Sequence, residues 1–426
     1  MIDKVRFFSV LFFPSVLTVI LWLFSKVFVN QIFPQDFWQN LTQISALVGT
    51  VTFGSTMILS ARWKWVERFF GGFDKAYVAH KYNGVASYIL LFLHFLSIII
   101  PKFLNFQIFI NYVIPVSTID INLGILSFYL LSILLLITFI KKVPYHFWKK
   151  THEYMGVSFL LGFLHTLLIP SDVSRFLPLK IWMIFFASFS LFAFFWQRFF
   201  WPNFSKKYIY KISKIENFGD VIDIYLEPKK EKIDFYSGQY VFLKIEKFGN
   251  EFHPFTISSA PNENFLRFSI KKLGDWTKKL DFLKIYDEVE VYAPLGEFGD
   301  KFALQKKDMV FLAGGIGVAP FLSLIKTENK KQIHFFYSAN NDSDAKRVDE
   351  ILEIVQRNEK IDFEFIDTRV RKRISALEIS KKIGGLENKY FFLCGSQKFM
   401  HGLLNDLIDL GVQNRNIILE DFNFKS

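Results

Sequence analysis

Six long stretches in the first 200 residues contain no Asp, Glu, Lys or Arg. They cover 7–25, 41–61, 82–100, 121–140, 154–169 and 181–197. A helix of about 20 apolar residues crosses the hydrocarbon core of a bilayer, which is about 30 Å thick. The fifth and sixth stretches are slightly short, but their flanking residues suit the membrane interface, namely His152, Trp182, Trp196 and Trp201. The sequence therefore predicts an all-α bundle of six transmembrane helices in a lipid bilayer.

The first stretch lacks the features of a cleaved signal peptide. It is too long for the apolar region of such a peptide, contains Pro14, and has no small-residue cleavage site. We therefore expect it to be the first span.

Lysine and arginine residues near the span ends are unevenly distributed. One side of the predicted membrane has only Lys26, Lys102, Arg175 and Lys180. The other side has Lys4, Arg6, Arg62, Lys64, Arg68, Lys75, Lys81, Lys141, Lys142, Lys149, Lys150, Arg198, Lys206 and Lys207. Because cytoplasmic loops carry the basic excess, both termini and the second half of the chain are predicted to be cytoplasmic, with the spans in the plasma or inner membrane. The net charge of +11 then reflects loops facing anionic lipid, and no nucleic-acid partner is expected.

The chain has a single cysteine, Cys394. Disulfides within the chain and cysteine-ligated zinc or iron–sulfur centres are therefore excluded. No CxxCH motif occurs, so any haem would be bound without a covalent bond.

Four of the eight histidines lie in or beside the third and fifth spans. His80 and His152 lie at the cytoplasmic starts of these spans, and His94 and His165 lie deeper. Polar residues within spans are costly and point to function. Because both spans run in the same direction, the four histidines match in depth, with a separation of about 20 Å along each helix. The pattern indicates two haem sites, one in each leaflet, each held between the two helices.

The spacing in the fifth span does not fit a regular helix. His152 and His165 are thirteen positions apart. At 100° per residue, the two side chains would therefore point about 140° away from each other around a regular helix. We therefore expect either a distorted first turn at His152 or a π-bulge within this span.

Two segments resemble known membrane electron-transfer proteins. FDKAYVAHKYNGVASYILLFLH (73–94) resembles the third span of NADPH oxidases and ferric reductases, and KKTHEYMGVSFLLGFLH (149–165) resembles the fifth. The resemblance implies one haem b between His80 and His152, here called the inner pair. It implies a second haem b between His94 and His165, the outer pair. Such bis-histidine haems pass single electrons and leave no iron position open.

The second half of the chain changes to short segments with alternating apolar and polar residues. They are YIYKISKI, VIDIYLEP, YVFLKIE, LRFSIKK and EVEVYAP, from about Lys206 onward. This alternation is typical of β-strands and predicts a small antiparallel barrel.

Two motifs in this barrel resemble the ferredoxin-reductase superfamily. HPFTISSAP (253–261) and GDWTKKL (274–280) lie between SGQY (237–240) and APLGEFG (293–299). The resemblance implies an FAD site, with Thr256 near flavin N5 and Thr277 as the N-cap of a short helix that cradles the pyrophosphate. The implied FAD contacts are His253, Pro254, Phe255, Thr256, Lys271, Gly274, Trp276 and Thr277, with Lys272 near the pyrophosphate.

The last 120 residues alternate predicted strands and helices. DMVFLAGGIGVAPFLSLI (308–325) is an apolar strand, a glycine turn that lets the backbone approach a pyrophosphate, and a helix. KYFFLCGSQKFM (389–400) is another strand that ends in CGS. Both resemble the nucleotide-binding half of the same reductases. The implied NAD(P)H contacts are Gly314, Gly315, Gly317, Pro320, Ser338, Cys394 and Gly395.

The same resemblance assigns catalytic roles and a preferred nucleotide. Cys394 is expected beside the nicotinamide, at the carboxyl end of its strand. Phe422 or Phe424 is expected to cover the flavin ring. Ser338 is at the position expected to contact the 2′-phosphate of NADPH, and NADPH is therefore favoured over NADH. A basic run could supply positive charge next to this phosphate. This run comprises Arg369, Arg371, Lys372 and Arg373.

The resemblance covers nearly the whole chain. It implies a ferric-reductase-like transmembrane domain with two haems (1–205), an FAD-binding barrel (206–303) and an α/β parallel-sheet NAD(P)H domain (304–426). The expected enzyme transfers electrons from cytosolic NAD(P)H through FAD and the haems to O₂, giving superoxide. The alternatives are a ferric-chelate reductase and a cytochrome that feeds a partner protein. No obligatory protein partner is evident.

Two positions depart from the oxidase pattern. Many oxidases carry a further histidine four residues after the outer ligand of span three, where this chain has Ile98. Many also carry an arginine in span two, whereas residues 41–61 include no charge. Calcium control within the chain is not expected, because no DxDxDG loop precedes the spans.

Overall fold

The computed structural model describes residues 4–28, 37–115, 118–140, 142–292, 294–327, 330–339, 345–371 and 373–420. The chain divides into two compact units, one ending at Phe204 and the other beginning at Ser205.

The first unit is helical throughout its described residues. Its helices are α1 (Lys4–Phe28), α2 (Phe37–Ser60), α3 (Lys64–Phe70), α4 (Phe73–Ile99), α5 (Phe106–Ile110), α6 (Ile119–Phe139), α7 (Tyr145–Glu153), α8 (Met155–Leu168), α9 (Asp172–Arg175), α10 (Leu177–Phe195) and α11 (Trp201–Phe204). The six apolar stretches of the sequence fall on α1, α2, α4, α6, α8 and α10.

Four helical segments of the described chain are long and apolar enough to cross a membrane. They are Phe37–Ser60, Phe73–Lys102, Ile119–Phe139 and Leu177–Phe200. Phe12–Phe28 of α1 is a shorter apolar segment, and α8 has only 14 residues. The structure thus shows an apolar helical region of transmembrane type, and the total of six spans remains a prediction.

Small residues let these helices pack closely. A side chain at Gly54 of α2 would lie 2.5 Å from Ser190 Oγ of α10, and one at Gly156 of α8 would lie 2.5 Å from the ring of Phe194. Apolar helices in lipid associate through such close backbone approach, because burial of apolar surface gives them little driving force.

The fifth predicted span is interrupted at Tyr154, between α7 and α8. His152 lies in the last turn of α7 and His165 in α8, so the two residues do not share one regular helix. This is the distortion near His152 that the thirteen-residue spacing required. A π-helical turn does occur, but at Trp196–Phe200, directly after α10.

The second unit begins with a six-stranded antiparallel sheet in the order β4-β3-β6-β1-β2-β5. The strands are β1 (Lys207–Phe218), β2 (Val221–Pro228), β3 (Tyr240–Lys244), β4 (His253–Thr256), β5 (Leu266–Lys271) and β6 (Glu288–Tyr292). All five predicted strand segments are present. One face of the sheet buries an apolar core that includes Ile224, Val241, Phe268 and Val291. Closure of the sheet into a barrel stays a prediction.

The rest of this unit is a five-stranded parallel sheet in the order β11-β10-β7-β8-β9. Its strands are β7 (Asp308–Gly314), β8 (Ile333–Ala339), β9 (Ile361–Asp367), β10 (Lys389–Cys394) and β11 (Ile417–Glu420). The helices of the unit are α12 (Asp275–Lys278), α13 (Phe298–Leu304), α14 (Ala319–Ile325), α15 (Ala345–Gln356), α16 (Ala376–Lys382) and α17 (Gln397–Asp409). Separate apolar clusters include Phe311 and Leu312, which point to opposite faces of β7.

The helix α13 joins the core of the parallel sheet. Its residues Phe298 and Phe302 pack in the same cluster as Phe392 and Phe321, with ring centroids of Phe298 and Phe392 5.3 Å apart. The transition between the two sheets therefore precedes Phe298, a few residues before the boundary predicted at 303.

A buried cluster of charges connects the two sheets. Asp223 of β2 accepts hydrogen bonds from Arg267 of β5 (2.7 Å) and from Arg347 of α15 (2.8 Å). Arg267 also donates to Glu350 of α15 at 2.6 Å, and Lys326 lies 2.9 Å from the same carboxylate. Burial alone would raise the pKa of Glu350, but Arg267 and Lys326 outweigh it and hold this pKa below its usual value. These ion pairs fix α15 against β2 and β5.

We expect Asp223→Asn to destabilise the second unit by about 3–5 kcal/mol, because it removes the anion that two buried guanidinium groups share. Chemical denaturation followed by tryptophan fluorescence measures the change. Lys214→Met is the matched control. It breaks the exposed Lys214–Glu216 pair, which is worth about 0–1 kcal/mol. Equal stability of the Asp223→Asn and control variants would contradict a structural role for this cluster.

Candidate functional site

The structure brings the four predicted histidines together in two pairs. The ring centroids of His80 and His152 are 6.1 Å apart, and those of His94 and His165 are 6.3 Å apart. The ring planes make angles of 56° and 59°. The inner and outer pairs thus have nearly the same geometry.

Three of the four imidazoles are oriented by a backbone carbonyl. Nδ1 of His80 lies 2.8 Å from the carbonyl oxygen of Thr56, and Nδ1 of His94 lies 2.8 Å from that of Thr42. Nδ1 of His165 lies 2.6 Å from the carbonyl oxygen of Asp120. A carbonyl only accepts, so each Nδ1 carries the hydrogen and each Nε2 keeps its lone pair for a metal.

The helix α2 supplies two of these carbonyls at a matching interval. Thr42 and Thr56 are fourteen residues apart, as are His80 and His94 on the antiparallel α4. One helix therefore orients an imidazole of the inner pair and an imidazole of the outer pair at the same time.

His152 differs from the other three histidines. Its Nδ1 is buried and has no hydrogen-bond partner among the described residues. The Trp148 ring, one turn earlier on α7, lies 5.3 Å from the His152 ring. The position of the His152 imidazole is therefore set by its packing against Trp148 and by the helix break at Tyr154.

Both pairs fit a haem iron held by two imidazoles. Iron–nitrogen bonds of about 2 Å on opposite sides of one metal put the two ring centroids about 6.3 Å apart. The observed separations of 6.1 and 6.3 Å agree with that arrangement. The carbonyl acceptors at Nδ1 are the kind of partner that metal-ligating histidines have.

Gly124 of α6 makes room for the outer pair. A side chain at this position would have its Cβ 2.9 Å from Nδ1 of His165. The absence of a side chain thus lets the His165 ring reach the carbonyl of Asp120, one turn earlier on α6.

The predicted FAD residues meet at the edge of the antiparallel sheet. His253 begins β4, and its ring stacks on Trp276 of α12 at 4.2 Å. The Phe255 ring also lies 5.7 Å from Trp276. Thr256 pairs with Tyr240 of β3. The HPFT and GDWT motifs are thus in direct contact, as expected if they shape one binding site.

Thr277 is not the N-cap of α12, and this prediction was wrong. Gly274 is the N-cap, and Thr277 is the third helical residue. The Thr277 hydroxyl accepts from the Gly274 N–H at 2.9 Å, so the threonine supports the start of the helix from inside. The nearby amines are paired, Lys271 with Asp220 at 3.3 Å and Lys272 with Asp281 at 2.7 Å.

The segments SGQY and APLGEFG lie against each other. Tyr240 and Leu295 exchange two backbone hydrogen bonds of 2.9 Å. A side chain at Gly299 would lie 1.7 Å from the carbonyl oxygen of Ser237, and Gly238 has φ of +83°. Only glycines permit this approach.

The glycine loop after β7 packs on the CGS turn after β10. Gly315 has φ of +54°, and Pro320 lies in the first turn of α14. A side chain at Gly317 would lie 2.4 Å from the carbonyl oxygen of Cys394, and one at Gly395 would lie 3.1 Å from Gly314. The two loops thus form one backbone surface at the carboxyl ends of β7 and β10, where ligands of parallel sheets bind.

Ser338 is the penultimate residue of β8 and pairs with Gly314 of β7. Its side chain is buried, and its hydroxyl has no hydrogen-bond partner among the described residues. The nearby basic run is partly neutralised. The Arg369 guanidinium donates two hydrogen bonds to the Asp367 carboxylate, of 2.7 and 3.0 Å. The Arg371 guanidinium lies 3.1 Å from the Glu364 carboxylate.

Some predicted contacts cannot be placed. Phe422, Phe424 and Lys372 lie outside the described residues. Conversely, the sequence did not reveal Thr42, Thr56 and Asp120, because they act through backbone carbonyls that every residue has.

We expect Gly124→Val to displace the His165 ring and lower the haem content from two to one per chain. Pyridine haemochrome spectra against protein concentration measure this. Leu126→Val introduces the same side chain at an exposed position of the same helix and should keep both haems. Two haems in Gly124→Val would show that Gly124 does not shape the outer site.

Two protein families match this chain. Residues 45–163 match the ferric reductase like transmembrane component, and residues 204–310 match the FAD-binding domain. The first match includes all of α4, with His80 and His94, and ends two residues before His165. The second includes the HPFT and GDWT motifs.

Curated relatives share about half the chain. A flavohemoprotein of Bacillus subtilis is 26% identical over 212 residues, 44% of this chain and 53% of its own length. A superoxide-generating NADPH oxidase heavy chain of Dictyostelium discoideum is 26% identical over 217 residues, 45% of this chain and 29% of its own length. The chain thus spans about half of the first relative and less of the second.

Among solved structures, the flavohemoglobin of Malassezia yamatoensis aligns with a TM-score of 0.53 and 18% identity. The alignment covers 91% of this chain and 98% of that one, and it shows a shared fold only. The chain thus joins a segment that matches a ferric reductase like transmembrane component to a segment that matches an FAD-binding domain, which is the combination expected from the sequence.

Proposed function

We propose that this protein transfers electrons from cytosolic NAD(P)H across a membrane to an acceptor on the opposite side. The observation that carries the proposal is the pair of matched histidine sites, with centroid separations of 6.1 and 6.3 Å. When bound, FAD converts a hydride into single electrons and haem b passes them one at a time. Two haem sites at different depths give a route through the bilayer.

The histidines hold the metal and fix its orientation. His80 and His152 would hold one haem iron through Nε2, and His94 and His165 would hold the other. The carbonyls of Thr56, Thr42 and Asp120 hold three of these rings in place. Ligands fixed in advance reduce the structural change that accompanies a change of oxidation state.

Residues of the second unit bind the flavin and the nucleotide. The stacked rings of His253, Trp276 and Phe255 would form one wall of the FAD site. Thr256 would hydrogen-bond the flavin near N5. Gly315 and Gly317 let the backbone approach the nucleotide pyrophosphate, which the start of α14 stabilises. Cys394 would lie beside the nicotinamide, and the Ser338 hydroxyl, which is buried and has no hydrogen-bond partner among the described residues, would meet the ribose side of NADPH.

The shorter apolar helices α1 and α8 would join the four longer helical segments to give six spans. The excess of basic residues between spans puts both termini and the reductase unit in the cytoplasm. The protein is then an integral protein of the plasma or inner membrane.

We propose O₂ as the acceptor, with superoxide as the product. The outer connection between α8 and α10 has eight residues, whereas the one between α4 and α6 has nineteen. A short connection next to His165 would leave the outer haem edge accessible to a small molecule. The alternatives are reduction of a ferric chelate and transfer to a partner protein.

The acceptor is tested with purified protein in lipid vesicles and NADPH. Reduction of cytochrome c that superoxide dismutase abolishes would support O₂ as the acceptor. Reduction of ferric citrate without oxygen, with no effect of the dismutase, would instead support a ferric-chelate reductase. If neither acceptor is reduced, a protein partner is required and the oxidase proposal is wrong.

We expect His94→Ala to bind one haem instead of two, because it removes a ligand of the outer pair only. Flavin reduction by NADPH should stay within about twofold of the parent protein. Pyridine haemochrome and stopped-flow absorbance at the flavin band measure the two properties. His146→Ala removes an exposed histidine of α7 and serves as the control, with two haems. Two haems in His94→Ala would contradict the ligand assignment.

A further inference from the structure

A buried ion pair lies near the C-terminal end of α1. Lys26 Nζ is 2.6 Å from Asp172 Oδ2, and both side chains are 4% exposed. At this distance the ammonium and the carboxylate form a direct salt bridge. Two opposite charges are therefore held out of water between α1 and α9.

The glutamine Gln43 of α2 joins this pair. Its Oε1 accepts from Lys26 Nζ at 2.6 Å and from Trp22 Nε1 at 3.1 Å. The Lys26 ammonium also lies 5.3 Å from the centroid of the Trp22 ring. The charge is thus anchored on α2 by a short hydrogen bond.

The next residue on α2 orients the outer pair. Thr42, directly before Gln43, accepts from His94 Nδ1 through its carbonyl at 2.8 Å. Its hydroxyl lies 2.7 Å from Ser97 Oγ, which in turn donates to the His94 carbonyl at 2.7 Å. One peptide unit therefore separates the residue that holds Lys26 from the residue that holds His94.

Asp172 is connected to the other ligand of the same pair. It begins α9, seven residues after His165 of α8. The ion pair is thus linked to His94 through Gln43 and Thr42 of α2, and to His165 through the short segment that joins α8 to α9. Burial of two charges is costly, and an apolar pair of similar volume is often more stable. Stability alone is therefore a weak reason for these residues.

We propose that Lys26 and Asp172 are positioning residues of the outer pair whose balanced charges set the reduction potential of the haem held there. The inference rests on the proposed function. A positive charge favours the reduced state of a nearby iron and a negative charge disfavours it, and both effects are large in a medium of low dielectric constant. The pair keeps the two effects in balance.

The test is a potentiometric titration of the full-length protein, with reduction of each haem followed at its α-band. Lys26→Gln leaves Asp172 alone and lowers the outer potential, whereas Asp172→Asn leaves Lys26 alone and raises it. We expect about a tenfold change in the ratio of reduced to oxidised outer haem, which is about 59 mV for a one-electron couple. In the double variant the two shifts cancel to within about twofold.

Three comparisons make the result specific. The inner haem of each variant is the internal reference and keeps its potential. Arg175→Gln removes an exposed positive charge three residues from Asp172 and is the matched control, with no shift. Lys26→Arg keeps the charge and the parent potential. If one single variant does not accumulate, the proposal is judged from two other results. They are the sign of the potential shift in the remaining single variant and the cancellation of the shifts in the double variant.

Potential shifts of the same sign in both single variants would overturn the proposal, because a loss of packing does not depend on whether a positive or a negative charge is removed. Equal shifts of both haems would overturn it as well. Unchanged outer potentials in protein with two haems would overturn it while leaving the proposed function intact. A parent protein without haem would contradict the proposed function and this inference with it.

Discussion

Both histidine pairs depend on hydrogen bonds that cross from one helix to the next. The imidazoles of His80 and His94 donate to carbonyls of α2, and that of His165 donates to a carbonyl of α6. An imidazole on an apolar helix would otherwise rotate or leave a polar group unpaired in lipid. With Nδ1 satisfied, each ring presents Nε2 in one direction. The packing of α4 on α2 and of α8 on α6 therefore also fixes the arrangement of the proposed metal ligands.

The second unit relies on close backbone approach instead of oriented side chains. Gly317 lies against the carbonyl of Cys394, and Gly299 lies against that of Ser237. These contacts bring together loops that are far apart in sequence and leave peptide groups exposed to a ligand. The charge cluster around Asp223 and Arg267 then holds α15 of the parallel sheet against the antiparallel sheet. Relative placement of the two sheets matters because hydride transfer needs flavin and nicotinamide in contact.

Strong periodic signals made much of the fold predictable. Uncharged stretches gave the helices, alternation gave the strands, and the thirteen-residue spacing required the interruption found at Tyr154. The N-cap of α12 was misplaced at Thr277, since a glycine N-cap such as Gly274 has no side chain to mark it. The carbonyls of Thr42 and Thr56 were not predictable, because their role depends on helix packing and not on residue type. The contact of Lys26 with Asp172 likewise joins residues 146 positions apart.

The use of backbone acceptors on α2 has a consequence for how such a protein can change over time. Almost any residue can replace Thr42 or Thr56 without loss of the acceptor, so substitutions at these positions are tolerated if packing is kept. Insertion or deletion of one residue between them is different. It would rotate one carbonyl by about 100° and shift it by about 1.5 Å relative to its histidine. Across homologues, α2 should therefore vary in sequence while the length of this interval stays constant.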